Sequence, residues 1–186
     1  MRVLGLCGSL RRDSYNRRLL AAASRELPES VAFRIFDDLA KIPPYSEDID
    51  ARQTPAVVQT LRTAIATSSA ILIATPEYNA SMPGLLKNAI DWASRPYPDH
   101  VLRSKPVAVV GASTGAFGAI LAQADLRRVL KALGAQVLEA ELPVSRAHEA
   151  FLLDGRLADP QLRSQLAIMV EDLLGVASVD AVEEFA

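Results

Sequence analysis

The chain has 186 residues, half of them hydrophobic, and a formal net charge of −2. This length and composition fit one α/β domain, and the charge argues against a general nucleic-acid surface. The single cysteine excludes an internal disulfide framework, and no second cysteine or nearby histidine offers zinc-ligand spacing. Because no segment approaches the ~20 apolar residues of a membrane span, we expect a cytoplasmic protein without a membrane partner.

Five short apolar runs predict β-strands. They cover residues 3–6, 31–36, 70–75, 107–110 and 137–142. The runs are mostly continuous rather than alternating, which is typical of strands buried on both faces of a parallel sheet.

Segments with helical spacing separate these strands. The first contains the apolar stripe that starts at Leu19, and the second and third begin at Pro55 and Pro83. The fourth stops at Gly134, and the fifth begins at an Asp-Pro pair, residues 159–160, and ends before Gly175.

The alternation of strands and helices predicts right-handed crossovers and an open parallel sheet. The simplest arrangement of five strands is the flavodoxin-like order 2-1-3-4-5, a three-layer fold with helices on both faces. No repeat or linker divides the chain. We therefore predict one domain over residues 1–175 and a frayed acidic tail over residues 176–186.

The segment after the first strand, residues 8–16, is suited to an anion. Gly8 permits a tight turn, and the segment leads into a helix whose free N–H groups attract negative charge. Ser9, Ser14 and Asn16 add uncharged donors, and Arg11 can form a charge-assisted hydrogen bond. Ordinary helix capping by Ser14 or Asn16 is the alternative, but it explains neither Ser9 nor Arg11.

Other phosphate loops fit this segment less well. It lacks the G-x-x-x-x-G-K-[ST] and G-x-G-x-x-G motifs. Low-molecular-weight tyrosine phosphatases resemble the arrangement, with a Cys-x5-Arg loop after the first strand. Counting from Cys7, that arginine position holds Asp13, which would repel a phosphate dianion. We therefore interpret Cys7 as a small apolar residue that ends the first strand, and a phosphatase as the less favoured function.

Two further segments leave predicted strands with unusual composition. Residues 76–92, PEYNASMPGLLKNAIDW, place the aromatic edge of Tyr78 beside backbone hydrogen-bonding groups, a combination that suits a flat heteroaromatic ligand. A surface turn before a helix is the alternative. Residues 111–119, GASTGAFGA, hold three glycines that permit close approach of the backbone, together with two hydroxyl groups.

Taken together, these motifs resemble those of the NAD(P)H-dependent FMN reductases, which include bacterial quinone, chromate and azo-compound reductases. The motifs are G-S-L-R-x-x-S-x-N at 8–16, P-E-Y-N at 76–79, P-G-x-L-K-N-A-I-D-W at 83–92 and S-T-G at 113–115. The resemblance implies a flavodoxin-like fold with non-covalent FMN and with NAD(P)H as co-substrate. The acceptor would be a quinone or a similar compound: azo, nitro, chromate or free flavin. FMN carries the chemistry in this family, so no catalytic side chain is assigned.

The resemblance also implies site residues by position. The FMN phosphate would be held by Ser9, Leu10, Arg11, Ser14, Tyr15 and Asn16. The isoalloxazine ring would be lined by Pro76, Glu77, Tyr78 and Asn79, and its other edge by Ser113, Thr114 and Gly115. Ala119 departs from the family pattern, because it stands where the second glycine of a G-G pair is expected, and this bears on the shape of the loop.

Partners follow from the same resemblance. The family usually forms dimers or tetramers, so we expect a homodimer or homotetramer, for which exposed Trp92 and Tyr97 would suit an interface. The alternative from another class is an electron-transfer flavodoxin, but those carriers usually show a T-x-T-G-x-T loop and strong acidity. We expect His100 and His148 to be surface residues.

Overall fold

The computed structural model describes residues 1–183, which fold as six strands and six α-helices. The strands are β1 (Arg2–Cys7), β2 (Ala32–Ile35), β3 (Ala70–Thr75), β4 (Pro106–Ala112), β5 (Gln136–Val137) and β6 (Pro143–Val144). The helices are α1 (Tyr15–Ser24), α2 (Glu47–Arg52), α3 (Ala56–Ala66), α4 (Gly84–Ala93), α5 (Ile120–Ala132) and α6 (Pro160–Glu183), with a short 3₁₀ helix at Leu39–Lys41.

All strand pairings in the sheet are parallel, and the strand order is β2-β1-β3-β4-β5, which confirms the predicted topology. β3 lies in the middle and is buried along its whole length. Its Ile71 and Ile73 pack on one face of the sheet against α3, α4 and α5, and Leu72 packs on the other face against α1 and α6. This alternation of side chains requires apolar residues at every position of the strand, which explains its continuous apolar run.

The predicted fifth strand, residues 137–142, is wrong in detail. The chain forms the short β5, leaves the sheet, and returns as β6, which pairs with the end of β4 from Gly111 to Ala112. Leu142, just before β6, is fully buried. Its carbonyl oxygen accepts the N–H of Gly111 at 3.3 Å, which brings this edge next to the end of β4.

The last helix does not end before Gly175, because α6 continues through that residue to Glu183. A glycine inside a helix costs about 1 kcal/mol relative to alanine. Buried Leu173 and Ala177 on either side of it pack against the sheet, and their burial outweighs that cost. The predicted tail therefore begins as helix, and its residues 184–186 lie outside the described residues.

Two surface assignments are wrong. Trp92 is fully buried, and its indole N–H donates to the carbonyl oxygen of Pro43 at 2.8 Å. His100 is 6% exposed, whereas Tyr97 and His148 do lie at the surface. Over residues 1–183, no helix is both long and apolar enough to cross a membrane, and no group of His, Cys, Asp and Glu is arranged to hold a metal ion.

Candidate functional site

Three loops meet at the carboxyl edge of the sheet: the β1–α1 loop (residues 8–14), the β3–α4 loop (residues 76–83) and the β4–α5 loop (residues 113–119). They enclose a cavity of about 150 Å³. It is lined by Ser9, Arg11, Ser14, Tyr15, Asn16, Pro76, Glu77, Tyr78, Ala112, Ser113 and Thr114. Most of the residues named from the sequence therefore converge, whereas Leu10, Asn79 and Gly115 do not line the cavity.

The β1–α1 loop presents the N-terminus of α1 to this cavity. Ser14 is the N-cap, and its hydroxyl oxygen accepts the N–H of Arg17 at 3.2 Å. The backbone N–H groups of Tyr15 and Asn16, the first two residues of α1, have no hydrogen-bond partner within residues 1–183. Two free donors and the positive end of the helix dipole make this point suitable for an anion.

The side chain of Asn16 does not face a ligand. Its amide N–H donates to the carbonyl oxygen of Ala112 at 2.9 Å, and its amide oxygen accepts the N–H of Ala112 at the same distance. The side chain is almost completely buried. Asn16 therefore joins α1 to the end of β4, and only its backbone N–H remains available to the cavity.

Glu77 joins the β3–α4 loop to α5. One of its carboxylate oxygens accepts the N–H of Leu121 at 2.9 Å and that of Ala122 at 3.1 Å, both in the first turn of the helix. A carboxylate at this position caps free N–H groups and complements the helix dipole. The hydroxyl of Ser81 donates to the carboxylate of Asp125 at 2.6 Å, and this donation lowers the pKa of Asp125.

A tight hairpin exposes Tyr78 at the mouth of the cavity. The N–H and carbonyl groups of Tyr78 and Ser81 pair in both directions, at 3.0 and 3.2 Å. Asn79 and Ala80 between them have φ values of 52° and 62°, as a type I′ turn requires. The ring of Tyr78 is half exposed as a result.

The β4–α5 loop turns through two consecutive left-handed residues, Gly118 and Ala119. A side chain at Gly118 would collide with the backbone of Pro143, so glycine is required there. Ala119 has a φ of 60° and is the N-cap of α5. The alanine thus adopts the left-handed conformation that glycine favours.

Aromatic contacts that sequence reasoning missed hold Tyr15 at the wall of the cavity. Its ring stacks on Phe151, with ring centroids 6.3 Å apart. The guanidinium groups of Arg11 and Arg18 lie 5.8 and 5.6 Å from the centre of the same ring. Phe151 follows β6 by seven residues, and no motif marked it.

Cys7 ends β1 as the sequence predicted, and it is buried. Its Sγ lies 3.8 Å from the hydroxyl oxygen of Ser14 and does not line the cavity that holds the N-terminus of α1. The side chain of Asp13 is exposed. Cys7 instead lines an adjoining cavity with Arg11 and Arg12. A phosphatase loop is disfavoured because Asp13 stands where the loop arginine is expected.

The dimensions of the cavity show what it can hold. Sites that enclose a whole drug-sized ligand have volumes of about 300–1,000 Å³. A volume of about 150 Å³ accommodates the phosphate end of a ligand. A larger planar group would lie at the open mouth, against Tyr78 and the β4–α5 loop.

Comparisons with known proteins point to one family. The family model for NADPH-dependent FMN reductases matches residues 1–149. The chain is 42% identical over 174 residues to an NAD(P)H-dependent FMN reductase of Pseudomonas aeruginosa, with 93% of each chain covered. It is 37% identical over 172 residues to a 2-hydroxy-1,4-benzoquinone reductase of a Burkholderia species, covering 92% of this chain and 93% of the relative.

A solved structure agrees with these relatives. The flavoenzyme NAD(P)H:(acceptor) oxidoreductase of Paracoccus denitrificans superposes with a TM-score of 0.83 at 35% identity, covering 95% of this chain and 97% of its own.

Proposed function

Because this chain belongs to the NADPH-dependent FMN reductase family, we propose that the cavity between its three loops is the FMN site of an NAD(P)H-dependent quinone reductase. The observation that carries this assignment is the meeting of three loops around the free N–H groups of Tyr15 and Asn16. FMN has a terminal phosphate monoester and a planar ring, which match the anion site and the open mouth.

The chain's own groups divide the work of binding FMN. The N–H groups of Tyr15 and Asn16, the hydroxyls of Ser9 and Ser14 and the Arg11 guanidinium would hold the phosphate. Leu10 would take part only through its backbone, because its side chain is exposed and lies outside this cavity.

The ring would lie across the other two loops. Residues 76–79 would support one side, with Tyr78 covering the mouth, and residues 113–115 would meet the other edge. Asn79 and Gly115 stand beside the cavity lining and would contact only the part of the ring that extends beyond it.

FMN supplies the acceptance and donation of hydride, and the protein orients it and tunes its electronics. Glu77 is the carboxylate that lines the cavity, and it is already bound to two N–H groups of α5. We therefore assign no acid or base step to a side chain. Backbone N–H groups of the β3–α4 and β4–α5 loops would stabilise negative charge on the reduced ring.

A quinone acceptor is supported by the relatives that bear the name quinone reductase, one of which is 42% identical over 145 residues. A homodimer or homotetramer is supported by apolar side chains exposed beside the mouth: Tyr78, Phe117 and Leu121. We place the protein in the cytoplasm, consistent with its single unpaired cysteine. An electron-transfer flavodoxin, the alternative from the sequence, is disfavoured because the family match is to reductases.

The test is FMN titration followed by two-substrate kinetics. We expect the fluorescence of FMN to be quenched when it binds, and the FMN-loaded protein to oxidise NAD(P)H with benzoquinone as acceptor. Double-reciprocal plots of the rate should give parallel lines, because donor and acceptor would use one pocket in turn. Ser9→Ala should weaken FMN binding roughly 10-fold and leave the rate at saturating FMN nearly unchanged.

Ser24→Ala, at the other end of α1, is the matched control and should bind FMN as the wild type does. Failure to bind FMN, or equal FMN affinities of Ser9→Ala and wild type, would contradict the assigned site. Intersecting lines in the double-reciprocal plots, together with a demonstrated ternary complex of enzyme, donor and acceptor, would require separate donor and acceptor sites.

A further inference from the structure

A second cavity adjoins the proposed FMN site on the side of β2. It has a volume of about 260 Å³ and shares Ser9 and Arg11 with the first cavity. Its lining is Cys7, Ser9, Leu10, Arg11, Arg12, Arg17, Phe36, Asp37 and Leu39. The two cavities therefore meet at Ser9 and Arg11, beside the proposed place of the FMN phosphate.

The second cavity is basic. Arg11, Arg12 and Arg17 face one carboxylate, that of Asp37, which pairs with Arg17 at 2.7 Å. Within the described chain, Arg11 and Arg12 have no carboxylate partner. Guanidinium groups held near each other without counter-charges attract phosphate, which they bind through charge-assisted hydrogen bonds.

Three apolar side chains also line this mainly polar cavity. Phe36 and Leu39, which follow β2, are almost completely buried, and Leu10 is exposed. A polar, charged lining with a few apolar side chains suits a sugar that carries a phosphate. The volume lies below the ~300 Å³ of a site that encloses a whole ligand, so the cavity fits one end of a longer molecule.

We propose that this basic cavity binds the 2′-phosphate end of NADPH, with Arg12 as its main contact, so that the enzyme prefers NADPH over NADH. The proposal rests on the proposed function, since it requires a nicotinamide nucleotide to bind over the flavin. Arg11 lies between the two cavities and serves both. Of the two cavities, Arg12 lines the second alone, and it is the residue that discriminates NADPH from NADH.

The experiment compares kcat/KM for NADPH and NADH in wild type, Arg12→Gln and Arg25→Gln, each saturated with FMN. We expect wild type to prefer NADPH. Arg12→Gln should lower kcat/KM for NADPH about 10-fold and leave that for NADH and the Kd for FMN nearly unchanged. Arg25→Gln removes the same charge at the far end of α1, outside both cavities, and should leave kcat/KM unchanged for both nucleotides.

A second variant should act in the opposite direction. Asp37→Asn removes the carboxylate that neutralises Arg17, so kcat/KM for NADPH should rise about 2- to 5-fold while that for NADH stays unchanged. Because this variant predicts a gain, a loss of folded protein cannot imitate it.

Inhibition distinguishes the dinucleotide from free phosphate. Adenosine 2′,5′-bisphosphate should compete with NADPH more strongly than 5′-AMP in wild type, and this advantage should disappear in Arg12→Gln. A kcat/KM ratio unaffected by Arg12→Gln, or inhibition by inorganic phosphate as strong as that by the bisphosphate, would overturn the proposal. If the FMN-saturated protein oxidised neither nucleotide, the proposed function itself would fail.

Discussion

Replacing Glu77 with alanine tests how the flavin site is held together. The carboxylate accepts two N–H groups of α5, at 2.9 and 3.1 Å, and Glu77 is half-buried. A charged hydrogen bond contributes about 1.5–3 kcal/mol when buried, and an N-cap about 1 kcal/mol. Allowing for solvent at this site, we expect Glu77→Ala to lower the free energy of unfolding by about 1–2 kcal/mol, or roughly 2–8 °C in Tm for a chain of this size.

The assay measures urea unfolding of the apoprotein and FMN affinity by fluorescence quenching. Glu77→Ala should also weaken FMN binding several-fold, because residues 76–79 lose their link to α5. Glu77→Gln keeps an oxygen acceptor and should lose less than half as much stability. Glu29→Ala, an exposed residue far from the loops, is the control. Unchanged stability of Glu77→Ala, or an FMN defect without any loss of stability, would refute the reasoning and place Glu77 in direct contact with the flavin.

Two further substitutions probe side chains with defined partners. Asn16→Ala leaves the buried N–H and carbonyl of Ala112 unpaired, so the apoprotein should lose about 2–4 kcal/mol in urea unfolding, and unchanged stability would contradict the pairing. Asp50 pairs with Arg62 at 2.9 Å, which holds the pKa of Asp50 below its usual value of 3.8. Because the folded-state pKa is lowered, the stability from this pair is present above pH 3.8 and is lost as pH falls through the folded pKa. Asp50→Asn should therefore lower the free energy of unfolding at pH 7, and this difference from wild type should vanish in acid. A difference in the free energy of unfolding that persists at low pH would contradict a stabilising ion pair.

The sheet and its loops could be predicted because their physical signals are local. Strands such as β3 and β4, buried on both faces, need apolar residues at every position, and glycine and proline mark where they end. The edge of the sheet carries a weaker signal. Residues 137–142 have strand-like composition, but only Val137 among them belongs to β5, because the chain turns there to bring Leu142 beside β4. That path depends on contacts with α5, which no local pattern contains.

Gly175 shows the same limit for helices. Glycine is a good sequence signal for a helix end, since it lacks a side chain and exposes the backbone. In α6 the neighbouring Leu173 and Ala177 pack against the sheet, and this tertiary contact stabilises the helix beyond Gly175. The prediction that Trp92 is exposed fails for a similar reason, because its environment is made by a distant part of the chain. The carbonyl oxygen of Pro43, 49 positions earlier, accepts the indole N–H of the buried Trp92.

The roles of polar side chains in the site were the least predictable part. The side-chain amide of Asn16 and the carboxylate of Glu77 can hydrogen-bond a ligand or the protein backbone equally well. The residue type therefore does not tell which partner each side chain has. Their partners are decided by folding, which places Ala112 beside Asn16 and the first turn of α5 beside Glu77. Asn16 joins α1 to the end of β4, and Glu77 and Ser81 join the β3–α4 loop to α5. The N–H groups of α1 that remain free are thereby fixed in position before any ligand arrives, and an anion can bind them without a further cost in loop ordering.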